Sequence, residues 1–265
     1  MPSPSPASTF QRRSARSGLI AGGMALALVL SACGGDDDSE PTTTAAAPPV
    51  STEAAPAAEA PDANLAVKLT PERVGTEDRP QAVRIAVDLR MEPPAEDAEV
   101  APVQTVTLTI PDGVAFRPDD LKACEEQTLA DEGPSGCPDA SQFGRGTVSA
   151  RAGTIQVEGQ ATAVYGGDDR VLLWVAIANP VSVGAAIEGK LEEQPEGGYR
   201  LALEVPADLQ DVAGLPVALD RLRVTLGRGD ALATTACPDR GLPFFAQLTL
   251  AGDTVVPAAT TADCR

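Results

Sequence analysis

From residue 65 onward the apolar residues of this chain fall at every second position, and that spacing restricts the fold sharply. Val83, Ile85, Val87 and Leu89 alternate with Arg84, Ala86, Asp88 and Arg90. Val106, Leu108 and Ile110 alternate with Thr105, Thr107 and Thr109. Tyr199, Leu201, Leu203 and Val205 alternate with Arg200, Ala202 and Glu204, and Leu222, Val224 and Leu226 with Arg221, Arg223 and Thr225. Neighbouring side chains of a strand point to opposite faces, so each run predicts an antiparallel strand with one buried and one wet face. Residues 171–178 are continuously apolar and hold the sole Trp, which predicts a central strand covered on both sides with Trp174 in the core.

Turn chemistry separates the runs. Gly166-Gly167-Asp168-Asp169 and Gln194-Pro195-Glu196-Gly197-Gly198 read as hairpin connections, where Gly supplies positive φ and Asp or Pro starts the turn. With further strands near residues 65–69, 146–152, 155–165, 181–191, 231–235 and 244–250, the total reaches about ten. Short strands at this spacing predict an all-β fold, an antiparallel β-sandwich or a barrel. One short helix is expected over residues 121–129, opened by Pro118-Asp119-Asp120.

No His occurs among the 265 residues. That excludes Ser-His-Asp and Cys-His nucleophiles, His-ligated metal and an imidazole proton shuttle. Seven of the 38 acids and three of the 20 bases precede residue 65, which leaves the remainder at a net −14. Nucleic-acid binding rests on Lys and Arg neutralising phosphates, so this balance argues against it. No G-x-S-x-G is present, because Gly133-Pro134-Ser135-Gly136-Cys137 fails at its last position. Gly144-Arg145-Gly146 lacks the Lys-Ser/Thr and the βαβ context of a nucleotide loop, and reads as a glycine-rich start to a strand.

Carboxylates are the abundant reactive groups. The doublets Asp119-Asp120, Glu125-Glu126, Asp168-Asp169 and Glu192-Glu193 sit in expected turns or element ends, where solvation explains them. A glycosidase-type acid pair needs two carboxyls facing one cleft, and neighbours on a strand face apart. Asp168-Asp169 lacks the D-x-D-x-D-G spacing of a calcium loop, so no metal and no cofactor are expected. Phe244-Phe245 places one ring inward and one outward. The outward Phe245, beside Gln247 and Thr249, reads either as a contact for a partner or lipid or, the preferred reading, as covered by the C-terminal tail held by Cys264.

The N-terminal 32 residues carry Arg12, Arg13 and Arg16 and no acid, then an apolar run over 18–30, then Leu30-Ser31-Ala32-Cys33. A basic start, a 13-residue apolar stretch and small residues before a cleavage point describe a secretory signal. The stretch is short of the about 20 residues that span a bilayer. Leu-Ser-Ala-Cys resembles the lipobox of bacterial lipoproteins. The resemblance implies cleavage before Cys33, its acylation, and membrane anchoring of an extracytoplasmic protein. Arg12-Arg13 lacks the following apolar pair of a twin-arginine signal. Residues 33–64 are rich in Pro, Ala and Thr, with seven acids and no base, and are expected to form a disordered tether. The run Asp36-Asp37-Asp38 is solvated charge rather than a calcium cage. The plan is thus signal 1–32, tether 33–64 and β domain 65–265.

Setting Cys33 aside leaves Cys124, Cys137, Cys237 and Cys264, an even number that predicts two disulfides in an exported domain. Four cysteines allow three connectivities. Cys124–Cys137 is preferred because it closes a short loop, and Cys237–Cys264 because it pins the tail. Neither C-x2-4-C zinc knuckles nor a C-x-x-C redox pair occurs.

The segment Cys137-Pro138-Asp139-Ala140-Ser141-Gln142-Phe143-Gly144-Arg145-Gly146 resembles the C-P-x-x-S-x-x-G-x-G segment of a group of exported actinobacterial proteins. Cys124 upstream, Thr234-Thr235-Ala236-Cys237-Pro238 and the final Cys264 extend the likeness. It implies an extracytoplasmic β-rich domain and brings no catalytic residue. The expectation is a non-enzymatic, lipid-anchored surface domain for binding or envelope structure, with an envelope protein, glycan or lipid as ligand. The alternatives are a carrier of lipid or another hydrophobic ligand, which needs an internal cavity, and a carboxylate-based hydrolase.

Overall fold

Strand formation follows the alternation. The computed structural model describes residues 60–95, 98–179, 182–212 and 214–265, so the signal, Cys33 and nearly all of the expected tether lie outside the described residues. Its strands are β1 (Asp62–Thr70), β2 (Gln81–Ala82), β3 (Arg84–Glu92), β4 (Val103–Ile110), β5 (Val114–Phe116), β6 (Gln142–Ala152), β7 (Ile155–Gly167) and β8 (Arg170–Asn179). There follow β9 (Val183–Glu193), β10 (Tyr199–Glu204), β11 (Asp211–Val212), β12 (Leu215–Leu226), β13 (Leu232–Thr234), β14 (Leu242–Leu250) and β15 (Val255–Ala262). Two helices accompany them, α1 (Glu126–Glu132) and α2 (Ala207–Gln210).

Eleven strands run in the order β1-β3-β12-β6-β7-β8-β9-β10-β4-β14-β15, each antiparallel to its neighbours, and β11 hangs on β12. The sheet curls until β15 lies beside β1, a nearly closed barrel. Eleven is odd, so the closing neighbours must run parallel. They do: beyond the ends of both strands the Arg265 N–H donates to the Glu72 carbonyl and the Val74 N–H to the Arg265 carbonyl, the alternation of a parallel pair. No ladder bonds join β1 to β15 themselves. Pro257 in β15 has no N–H to give, which suits a strand at such a seam.

The two barrel ends differ. At the near end, where β1 begins, the cover is α2 with the β11–β12 hairpin and the link from β3 to β4. At the far end a second sheet, β2-β13-β5, is joined to the barrel by the Val83 N–H bond to the Leu232 carbonyl. There Phe116 stacks against Phe143 and Tyr165, with ring centroids 6.0 and 5.9 Å away. Both disulfides also lie there, Cys124–Cys137 (Cα–Cα 5.3 Å) and Cys237–Cys264 (5.9 Å), the pairing preferred from the sequence.

Both hairpins form as expected, Gly167 pairing with Arg170 and the Gln194 N–H bonding the Gly198 carbonyl. Three expectations need correction. The first strand starts at Asp62, inside the segment expected to be tether. Residues 121–125 are not helical: a bond from the Cys124 N–H to the Tyr165 carbonyl and the disulfide hold them against β7, and α1 starts only at Glu126. Trp174 is half-buried on the outer face of β8, not inside the barrel. That face is nevertheless covered, because Leu172 packs under α1 with Leu129, Cys124 and Cys137, and a methyl on Gly133 would touch the indole at 3.6 Å. The continuous apolar run of β8 thus reflects two real cores, one on each face.

Candidate functional site

The barrel interior is where side chains converge. Val171, Leu173, Val175 and Ile177 point inward from β8, and Leu201 and Leu203 do so from β10. On β12 the alternation breaks at a bulge between Leu219 and Arg221. The extra residue sends Asp220 outward, where it binds Arg151 at 2.8 Å, and lets both Leu219 and Leu222 face the interior. The result is a cavity of about 100 Å³ lined by fifteen residues, every one Val, Leu, Ile or Ala.

Its position is asymmetric. Val103, Ala150, Val157, Ile177 and Val217 come from strand ends at the near end, and Leu209 of α2 lies across that end. The α2 turn is fastened to the residue after β10 by a 2.6 Å bond from Gln210 Nε2 to the Val205 carbonyl. Among the described residues no buried side-chain polar atom lacks a partner, and no polar side chain lines this space. Such a cavity stays dry.

The acidic doublets do not gather. Asp119, Asp120, Glu125, Glu126, Asp168, Asp169, Glu192 and Glu193 are all exposed. Among the described residues no group of three or more carboxylates and cysteines is placed to hold a metal ion. Asp168 and Asp169 adopt φ of 47° and 62° to make the β7–β8 turn, a conformational role that Asp tolerates. Burial, aided by the charges of Asp169 and Asp168, pushes the Tyr165 hydroxyl above its ordinary value and keeps it neutral at the far end.

The actinobacterial-type segment is explained by packing. Cys137 enters its disulfide, and the buried Ser141 hydroxyl donates to the Pro138 carbonyl at 2.7 Å. Gly144 and Gly146 lie where β6 meets β12, and a Cβ on Gly146 would overlap the Arg223 carbonyl. Thr234 is buried in β13. These residues build the far end.

Phe245 faces outward as alternation requires, but the tail does not cover it. It pairs with Ala259 of β15, whose small side chains leave the ring 52% exposed. The cavity itself was not located from the sequence. The signal for it was present in 215–222, where Leu215, Val217, Leu219 and Leu222 break strict alternation by one residue.

Comparison of the chain with protein-family models, curated proteins and solved structures finds no match.

Proposed function

We propose that this chain is a lipid-anchored extracytoplasmic barrel domain serving binding or envelope structure rather than catalysis. The observation that carries the reading is Leu30-Ser31-Ala32-Cys33 after a basic and apolar leader. Two disulfides in the domain agree with an oxidising compartment. The solvated, dispersed acidic doublets speak for binding over carboxylate chemistry. The test is Cys33→Ser in the full chain, expressed in a bacterium that processes lipoproteins. The wild type should fractionate with membranes and carry acyl mass, and the variant should lose both. Membrane retention of the variant would overturn the reading.

One observation favours a second reading, a carrier of hydrophobic ligand: the apolar cavity inside the barrel. Protein purified from membranes should release lipid or another hydrophobic compound in native mass spectrometry, and a ligand-free spectrum would count against it.

A further inference from the structure

We infer that the cavity is a chamber for an unsubstituted hydrocarbon group of about six carbons, admitted at the near end past Leu209. The inference deepens the carrier reading and rests on it for biological purpose, though not for its own test.

The lining decides the chemistry. Fifteen aliphatic side chains offer no hydrogen bond, so a hydroxyl, amide or charge placed inside would be stripped of water without a partner. A volume of about 100 Å³ is below that of pockets enclosing drug-sized molecules. It is closer to dry cavities of ~150 Å³ that take benzene. A whole two-chain lipid does not fit.

The fold decides the access. Phe116, Phe143 and Tyr165 close the far end, with the second sheet and both disulfides around them. At the near end the cavity lining reaches Leu209, on a single helical turn between β10 and β11. β1 begins at the same end, at Asp62. A hydrocarbon group of the right chemistry is therefore supplied either by the end of an acyl chain, whose polar head stays outside, or by a compact free hydrocarbon.

The test uses the full chain carrying Cys33→Ser, titrated with benzene and with octanoate, and read by methyl chemical shifts and by melting temperature. Benzene should saturate at one site and shift the methyl resonances of Leu173, Ile177 and Leu209. Octanoate competing with benzene assigns the acyl-end source, and benzene binding without competition assigns the free hydrocarbon. Ala150→Leu, which puts a side chain into the cavity, should weaken benzene at least tenfold without lowering the melting temperature. Val175→Ile is the milder filling variant should the first fold poorly, and should weaken benzene severalfold. No saturable benzene shift, or equal binding to wild type and both filled variants, overturns the chamber. Failure of the carrier reading shows separately, as no hydrophobic compound co-purifying while benzene still binds.

Discussion

The interior of this barrel has two halves built from the same residue types and packed differently. Along β14 and at the far end of β1 the side chains are sealed: Leu242 and Leu248 are 0% exposed, Leu250, Phe244 and Leu69 1%. Across the interior, Leu173 stands at 7%, Val175, Ile177 and Ile187 at 6%, and Leu203 at 9%, all pointing inward. Their uncovered surface borders the cavity. Leaving about 100 Å³ unfilled costs roughly 2 kcal/mol at ~24 cal/mol per Å³. A chain that seals one half with Leu and Phe has the means to seal the other, so the hollow is a feature of this sequence rather than a limit of its alphabet.

The largest test of that contrast is truncation. Leu248→Ala removes a side chain enclosed on every side and should cost about 4 kcal/mol. Leu173→Ala removes one that already borders empty space, loses fewer contacts, and should cost about 2 kcal/mol less. Paired urea titrations measure both. Equal losses would mean that the two halves are equally packed.

Removing a disulfide sharpens the comparison from outside the barrel. Cys124→Ala with Cys137→Ala frees the loop whose helix covers the outer face of β8 and should cost about 3 kcal/mol. Because Trp174 lies beneath that loop, its fluorescence should shift to the red before global unfolding. The Cys237–Cys264 bridge sits against the sealed half, with Cys264 packed on that core. Losing it should cost a similar amount and leave Trp174 emission unchanged. A red shift from the second pair would show that the halves do not act separately.

Adding volume reverses the order of the halves. Ala246→Leu forces three heavy atoms into the sealed side and should destabilise by about 1–3 kcal/mol. Ala150→Leu occupies existing space and should be neutral or stabilising by up to about 1 kcal/mol. The filled variant should also unfold at higher pressure, since void eliminated on unfolding drives pressure denaturation.

Most of the barrel was legible because alternation is a local signal. β3, β10 and β14 each show one wet and one apolar face, β4 alternates half-buried Thr with Val, Leu and Ile, and β8 announced its two covered faces. What escaped had no such signal. β15 reads Val-Val-Pro-Ala-Ala-Thr-Thr-Ala, too small and too proline-marked to look like a strand, and it forms because β14 offers it a ladder of eight partners. The cavity escaped for a different reason. Its walls come from seven barrel strands and α2, and only the closure of the sheet brings them round one space. The bulge at 219–221 is the one local trace, and a bulge alone does not say that the residues it turns inward fail to meet.

The smallest effect probes the outer wall that the two halves share. On the outer face, Asp88 of β3 accepts from Arg221 and from Arg223 (3.2 Å) of β12. The Arg221 bond, against some opposing desolvation and helped by Arg223, holds the Asp88 carboxyl below its ordinary value. A carboxyl depressed in the folded state stabilises above its unfolded value of about 3.9, and that share is lost as pH falls through the lower folded value. The pair is partly exposed, so solvent screening keeps the share below about 1 kcal/mol. Asp88→Asn should lower stability slightly at pH 7, and the difference should shrink as pH falls through the depressed folded value of the wild-type carboxyl. The same variant should leave the benzene affinity of the cavity unchanged, because β3 contributes no residue to its lining. A change in that affinity would show that the seam between β3 and β12 transmits strain into the hollow half, and the separation of the two halves would fall with it.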